Sequence, residues 1–226
     1  MAITVVGGIK GGSGKSTVAT NLAVMLAASG RDVLLVDADD QETSTDFTNL
    51  RNSSREASGG AGYTCVPLTG RAVLTEVKRM AEKYDEIIID TGGRDTVSQR
   101  AALAVSDRYV VPVAPRSFEG WTLEKVANMI EEARAVNPAL AAYAFINKAD
   151  PAGSKNAEIA EVLNAIPALE FLPTTIGNRI AFDHAAGNGL AITELRPQDP
   201  KAVEEMAALF GRLYGVQKVA PLRKRA

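Results

Sequence analysis

Residues 7–17, Gly-Gly-Ile-Lys-Gly-Gly-Ser-Gly-Lys-Ser-Thr, follow directly on the apolar run Ile3-Thr4-Val5-Val6 and constrain this chain more than any other stretch. A strand ending at Val6, a glycine-rich turn and a helix opening near Ser16 turn the loop's backbone N–H groups inward, which makes an anion cradle. Gly11, Gly12 and Gly14 let the main chain approach phosphate oxygens where a Cβ would collide, and the helix N-terminus adds partial positive charge. Lys15 is placed for the β- and γ-phosphates of a nucleotide, the Ser16 hydroxyl for one position around Mg²⁺, and Thr17 for the α-phosphate, with Ser13 completing the loop. The ordinary pattern has glycine where Ile9 stands. Lys10 brings a second cation into a loop that already has one, an unfavourable arrangement unless an anion neutralises both.

The segment from Lys10 through Gly11, Gly12, Ser13, Gly14, Lys15 and Ser16 to Thr17 resembles the deviant Walker A motif, K-G-G-x-G-K-[ST], of the ParA/MinD family of ATPases. That resemblance implies an ATP-dependent homodimer in which Lys10 reaches the partner's nucleotide.

At 226 residues and 46% apolar content the chain can bury one substantial core,. The economical division is one P-loop domain over residues 1–215 and a basic tail over residues 216–226, where Lys218, Arg223, Lys224 and Arg225 stand without an acid beside an otherwise acidic body,. A single cysteine, Cys65, leaves no disulfide framework and no zinc or iron–sulfur cluster, which argues for the cytoplasm and against the nitrogenase iron protein,. No basic-then-apolar leader and no run of about 18 apolar residues appears, so neither a signal peptide nor a membrane span is expected.

Continuous apolar runs at residues 33–36, 87–89, 109–113 and 143–146, and a weaker strand at 63–67, alternate with stretches of helical spacing. Helices are expected at about 73–81, 97–105, 123–136, 154–165, 179–187 and 200–214, and residues 52–62, small and polar, read as a mobile surface loop. This alternation predicts an α/β fold, an open, mostly parallel sheet with helices on both faces, whose ligands bind beyond the carboxyl ends of the strands.

Three such ends carry polar groups. Asp90, closing Ile87-Ile88-Ile89, matches a Walker B carboxylate that holds Mg²⁺ through its water shell, and Gly92 and Gly93 behind it let a backbone N–H face the γ-phosphate,. Asp37-Ala-Asp39-Asp40-Gln41 resembles the family's first switch, D-x-D-P-Q, which implies that Asp39 orients the attacking water and supports the Mg²⁺ shell. Asp40 stands where proline is common, and the switch loses a rigid point there. Asp37 fits a site role or a solvated strand end equally well. With Lys10 and Lys15 supplying charge to the transferred phosphoryl group, little covalent chemistry is asked of the protein. Asn147-Lys148-Ala149-Asp150 fits the guanine-reading N-K-x-D motif, while the resemblance implies that Asn147 pairs with adenine; the double-lysine loop favours ATP. His184 reads as a helix-surface residue, Trp121 as partial core, and Cys65 as buried and inert.

A later segment, residues 176–189, resembles the family's I-x-x-R-x-x-x-x-x-A-x-x-x-G pattern, and no DNA-reading domain precedes the phosphate loop, as in the small branch of the family. The resemblance implies a nucleoid-associated switch that binds DNA without sequence preference as the ATP dimer and meets a ParB-like or cargo-adaptor partner. Arg179, Lys201, Arg212, Lys218, Arg223, Lys224 and Arg225 are candidates for phosphate contacts. A MinD-like membrane switch is the rival, disfavoured because Pro221 interrupts a tail with few large apolar residues. An ATP-dependent biosynthetic or metallocentre-assembly enzyme is the alternative from another class.

Overall fold

In the computed structural model, which describes residues 1–58, 60–115, 120–151 and 153–215, the apolar runs become the inner strands of one sheet. These are β1 (Ala2–Val6), β2 (Val33–Ala38), β4 (Glu86–Thr91), β5 (Arg108–Val113) and β6 (Ala141–Ala149), with β3 (Thr64–Pro67) and β7 (Glu170–Gly177) at the edges. The order is β3-β2-β4-β1-β5-β6-β7, and every neighbouring pair is parallel. The result is a single α/β domain with a seven-stranded parallel sheet, as expected from the alternation of the sequence.

Side-chain alternation assigns each strand residue to one of two cores. Ile87 and Ile89 join α3 (Ala72–Met80), α4 (Val97–Leu103), α5 (Gly120–Arg134) and α6 (Ser154–Asn164) on one face. Ile88, with Val6, Leu35 and Val110, packs on the other against α1 (Lys15–Ala28), α7 (Ile180–Ala186) and α8 (Pro200–Tyr214). All three isoleucines are fully buried, each worth about 1.5–3 kcal/mol of removed apolar surface. Among the described residues no helix is long and apolar enough to cross a membrane.

Register matters more for function. Val6 lies opposite Asp90, and Asp90 opposite Asp37, so β1, β4 and β2 release their following loops at one level. β1 sits where the chain stops building toward β3 and starts building toward β7, the switch point at which such sheets bind ligands,.

Three expectations need correction. Most of the supposed loop at 52–62 is helix: α2 runs Thr43–Ser58. Its inner residue Arg51 is buried and hydrogen-bonded at both ends of its guanidinium, which gives a polar segment the anchorage that apolar periodicity failed to signal. β7 was hidden by Pro173, which an edge strand tolerates, here at a register shift between the pairs Ala144–Phe171 and Ile146–Thr175,. Asn147 and Lys148 lie on the end of β6, which continues to Ala149, and so precede the loop to which the sequence assigned them.

Candidate nucleotide-binding site

Helix α1 begins on Gly14, whose φ of +87° only glycine holds without strain, and it has neither a side-chain cap nor an acid in its first turn,. Helix α8, by contrast, is capped by Asp199, whose carboxylate accepts from the N–H groups of Lys201 and Ala202. The first N–H groups of α1 are therefore left to a ligand, with the helix dipole favouring an anion. Lys15 is 7% exposed and its ammonium donates to the Lys10 carbonyl at 3.0 Å. Burial pulls its pKa down, Asp90 and Asp39 oppose that, and Lys148 adds to it.

The loop after β4 closes the cradle. A Cβ on Gly93 would stand 2.8 Å from the Gly11 nitrogen and 2.9 Å from its Cα, and one on Gly92 would meet an Asp39 carboxylate oxygen at 3.1 Å. These two glycines thus let the β4 loop touch the phosphate loop on one side and the first switch on the other.

Three aspartates converge behind the loop. Asp90 is fully buried; its Oδ2 accepts from the Ser44 hydroxyl at 2.7 Å, while its Oδ1 has no hydrogen-bond partner. Burial lifts its pKa to about 7, against the pull of the nearby Ser16 and Ser44 hydroxyls and of Lys15. Asp37 is buried, not a solvated strand end: its Oδ2 accepts from Thr45 N–H at 2.8 Å and so fixes the start of α2. Asp39 is half-buried and closes its own turn, since its carbonyl accepts from Glu42 N–H at 3.0 Å. Glu42 takes a φ of +49° there, so the turn that lacks proline at Asp40 is set by hydrogen bonding and by one left-handed residue. An unpartnered carboxylate oxygen beside a hydroxyl and a second carboxylate is an oxygen donor set suited to a hard divalent cation.

On the far side of the loop, Asn147 is buried and donates through Nδ2 to the Ser13 carbonyl at 2.7 Å. A Cβ on Gly14 would lie 2.4 Å from that nitrogen. Lys148, at a φ of +52°, donates to the Gly12 carbonyl at 2.9 Å. A pocket opens beside them, lined by Gly14, Thr17, Asn147, Asn178, Arg179 and Phe182. Asp150 lies outside it, along a neighbouring hollow with Asn156, Lys201 and Glu205.

The structure thus brings together Lys10, Lys15, Ser16, Thr17, Asp39, Asp90, Gly92 and Asn147 around one cradle. Sequence reading missed Ser44 and gave Lys148 no role beyond the base motif; the run Thr43-Ser44-Thr45-Asp46, typical of a helix start, was the available signal for the first,. Arg179 is bound to Glu205 at 3.0 and 2.5 Å, with Asp199 at 3.9 Å, whereas Lys201 and Arg212 are exposed on α8. His184 is exposed on α7. Cys65 is half-buried on β3 instead of fully enclosed, because β3 is an edge, and burial still pushes its thiol pKa up. The side chain of Trp121 and the tail residues Lys218, Arg223, Lys224 and Arg225 lie outside the described residues.

Known proteins share this fold. The chain is 24% identical over 209 residues to the maintenance of carboxysome distribution protein A of Halothiobacillus neapolitanus, covering 92% of this chain and 94% of that one. It is 33% identical over 158 residues to the chromosome-partitioning ATPase Soj of Thermus thermophilus, covering 58% and 62%. A McdA–ATP complex from Cyanothece superposes with a TM-score of 0.74 at 19% identity, covering 96% of this chain and 98% of the other. Residues 3–192 match the family model of the CobQ/CobB/MinD/ParA nucleotide-binding domain, and this chain is a member of that family.

Proposed function

We propose that this chain is an ATPase that dimerises on ATP, binds DNA without sequence preference as the dimer, and positions or partitions a cargo whose adaptor protein stimulates hydrolysis. The observation that carries the reading is the cradle itself: Lys10 and Lys15 stand in one loop whose helix end is uncapped, with Asp39 and Asp90 converging behind it. Two lysines in one short loop are tolerable when an anion neutralises their charge. Lys15 then stabilises the transferred phosphoryl oxygens, Lys10 does so across the dimer, and Asp39 orients the attacking water.

Ser16, Asp39 and Asp90 would hold Mg²⁺, which when bound offsets charge on the β- and γ-phosphates. The orphaned Oδ1 of Asp90 supports that assignment. ATP is favoured over GTP because Asn147 borders the base-side pocket while Asp150, the carboxylate a guanine reader needs, lines a different hollow. Lys201 and Arg212 are the better DNA candidates among the described residues, since Arg179 is neutralised by Glu205. Names of relatives cover both carboxysome distribution and chromosome partitioning, so the cargo class is a large assembly.

Size-exclusion chromatography and retention on duplex DNA, each in ATP, ADP and no nucleotide, test the proposal with wild type and Lys10→Ala. Wild type should shift to a dimer and bind DNA in ATP alone, because dimerisation doubles the phosphate contacts on which affinity steeply depends. Lys10→Ala should stay monomeric and pass through. Equal DNA retention of wild type in all three states would remove the switch.

A further inference from the structure

Ser44 stands at the start of α2, fully buried, and spends its hydroxyl proton on Oδ2 of Asp90 at 2.7 Å. The Ser44 carbonyl accepts from the Thr48 hydroxyl at 2.7 Å, and Thr45 N–H is held by Asp37 at 2.8 Å. The first turn of α2 is therefore tied to the ends of both β2 and β4.

About two turns further on, the same helix is pinned again. Arg51, 1% exposed, donates to both carboxylate oxygens of Glu194 at 2.7 and 2.9 Å, to the Ala61 carbonyl at 3.2 and 2.6 Å, and to the Gly189 carbonyl at 3.0 Å. Glu194 also accepts from Ala191 N–H at 3.0 Å. In the same turn Ile192 N–H donates to Asn21 Oδ1 at 2.8 Å, and Asn21 Nδ2 donates to the Thr17 carbonyl at 2.7 Å. This closes a circuit of buried and part-buried polar bonds from the phosphate-loop helix, through the turn after α7, to α2 and back to the carboxylate at the end of β4. Rotating α2 about its axis would break a bidentate ion pair and strand Glu194 without its cation, which is costly in a buried setting. Ser44 is thus a fixed donor.

We propose that Ser44 is a positioning residue for the metal-site carboxylate: it holds Asp90 by Oδ2 and leaves Oδ1 for the water shell of the cation, while Arg51 fixes Ser44 by pinning α2. The proposal rests on the Mg²⁺ and ATP reading above. Hydrogen-bond partners of a metal-site carboxylate set its orientation before the cation arrives, and their removal typically costs about 10- to 100-fold in metal affinity. Ser44→Ala deletes one oxygen and leaves the Arg51 anchor intact, so α2 should stay in place.

Binding of a fluorescent ATP analogue, measured in EDTA and then across a MgCl₂ titration, separates the two affinities. Ser44→Ala should raise the Mg²⁺ concentration at half-effect by about 10- to 100-fold. Its affinity for the analogue in EDTA should stay within about two-fold of wild type, because the residue acts on the cation and not on the phosphates. In an Asp90→Asn background Ser44→Ala should add nothing further, since the group it positions has lost its charge. An unchanged Mg²⁺ midpoint in Ser44→Ala, or an equal additional loss in the Asp90→Asn background, overturns the positioning role. Absence of any Mg²⁺-dependent gain in the wild type overturns the underlying metal reading as well, and is visible before any variant is made.

Discussion

The two halves of the candidate site are built by different means. On the phosphate side, strands β1, β4 and β2 end level with one another through a continuous parallel register, and the loops they release are packed until backbone meets backbone, Gly93 against Gly11. On the base side, β6 and β7 are joined through two register shifts, and the pocket is assembled from Asn147, Asn178, Arg179 and Phe182 on separate elements. The first half suits chemistry that is the same for any triphosphate, where positions must not move. The second is joined to the loop by side-chain hydrogen bonds from Asn147 and Lys148, an arrangement that can be retuned residue by residue.

The largest effect that sharpens this contrast is electrostatic. Unfolded, Asp90 titrates as an ordinary aspartate, near 4; folded, it titrates at about 7 because burial disfavours its charge. Its neutral form therefore contributes stability that is fully present below about 4 and is lost as pH rises through about 7, roughly 4 kcal/mol in all. Urea denaturation in EDTA at pH 5 and pH 8 should show wild type losing about 2–3 kcal/mol relative to Asp90→Asn, the share of that loss that falls between the two pH values. Saturating Mg²⁺ and ATP should flatten the difference, since a cation then takes the place of the proton. Parallel pH profiles for wild type and Asp90→Asn in EDTA would mean that the phosphate side carries no such stored cost.

A smaller effect tests whether that side is as rigid as its packing implies. Gly93→Ala places a methyl group 2.8–2.9 Å from the Gly11 backbone, where no flexible side chain can yield. Forcing the loops apart should cost about 1–3 kcal/mol, read as a melting temperature lower by several degrees and a 10- to 100-fold loss of nucleotide affinity. Isothermal titration on a variant with a wild-type circular dichroism spectrum gives the answer, and an unchanged affinity would show the loops to be separable.

The same contrast explains how much of the molecule was legible in the sequence. Apolar runs such as Ile87-Ile88-Ile89 can only be buried strands, and a loop of glycines and lysines after one of them has few uses, so the inner sheet and the phosphate side could be read directly. What was missed depends on partners far along the chain. Arg51 holds α2 together through Glu194, 143 positions away, and no periodicity in residues 43–58 announces it. β7 alternates in burial, carries Pro173 and lies at an edge, so its signal was weak for a physical reason,. Ser44 became meaningful once the register had set Asp37 beside Asp90.

The weakest effect lies on the base side and decides between two purines. Asn147→Ala removes the amide that satisfies the buried Ser13 carbonyl, a loss of about 1–2 kcal/mol that should lower affinity for ATP by roughly 10-fold,. Asp150 belongs to another hollow, and its backbone ties the turn before α6, where its carbonyl accepts from Gly153 N–H and Asn156 Nδ2. Asp150→Ala should therefore leave the ratio of ATP to GTP affinity where it was, whereas a guanine-reading carboxylate would take most GTP binding with it. Competition of each nucleotide against a fluorescent ATP analogue measures both variants in one format. A GTP-selective collapse in Asp150→Ala would mean that residues 147–150 move into the pocket on binding, and that the base side is a folding surface instead of a preformed one.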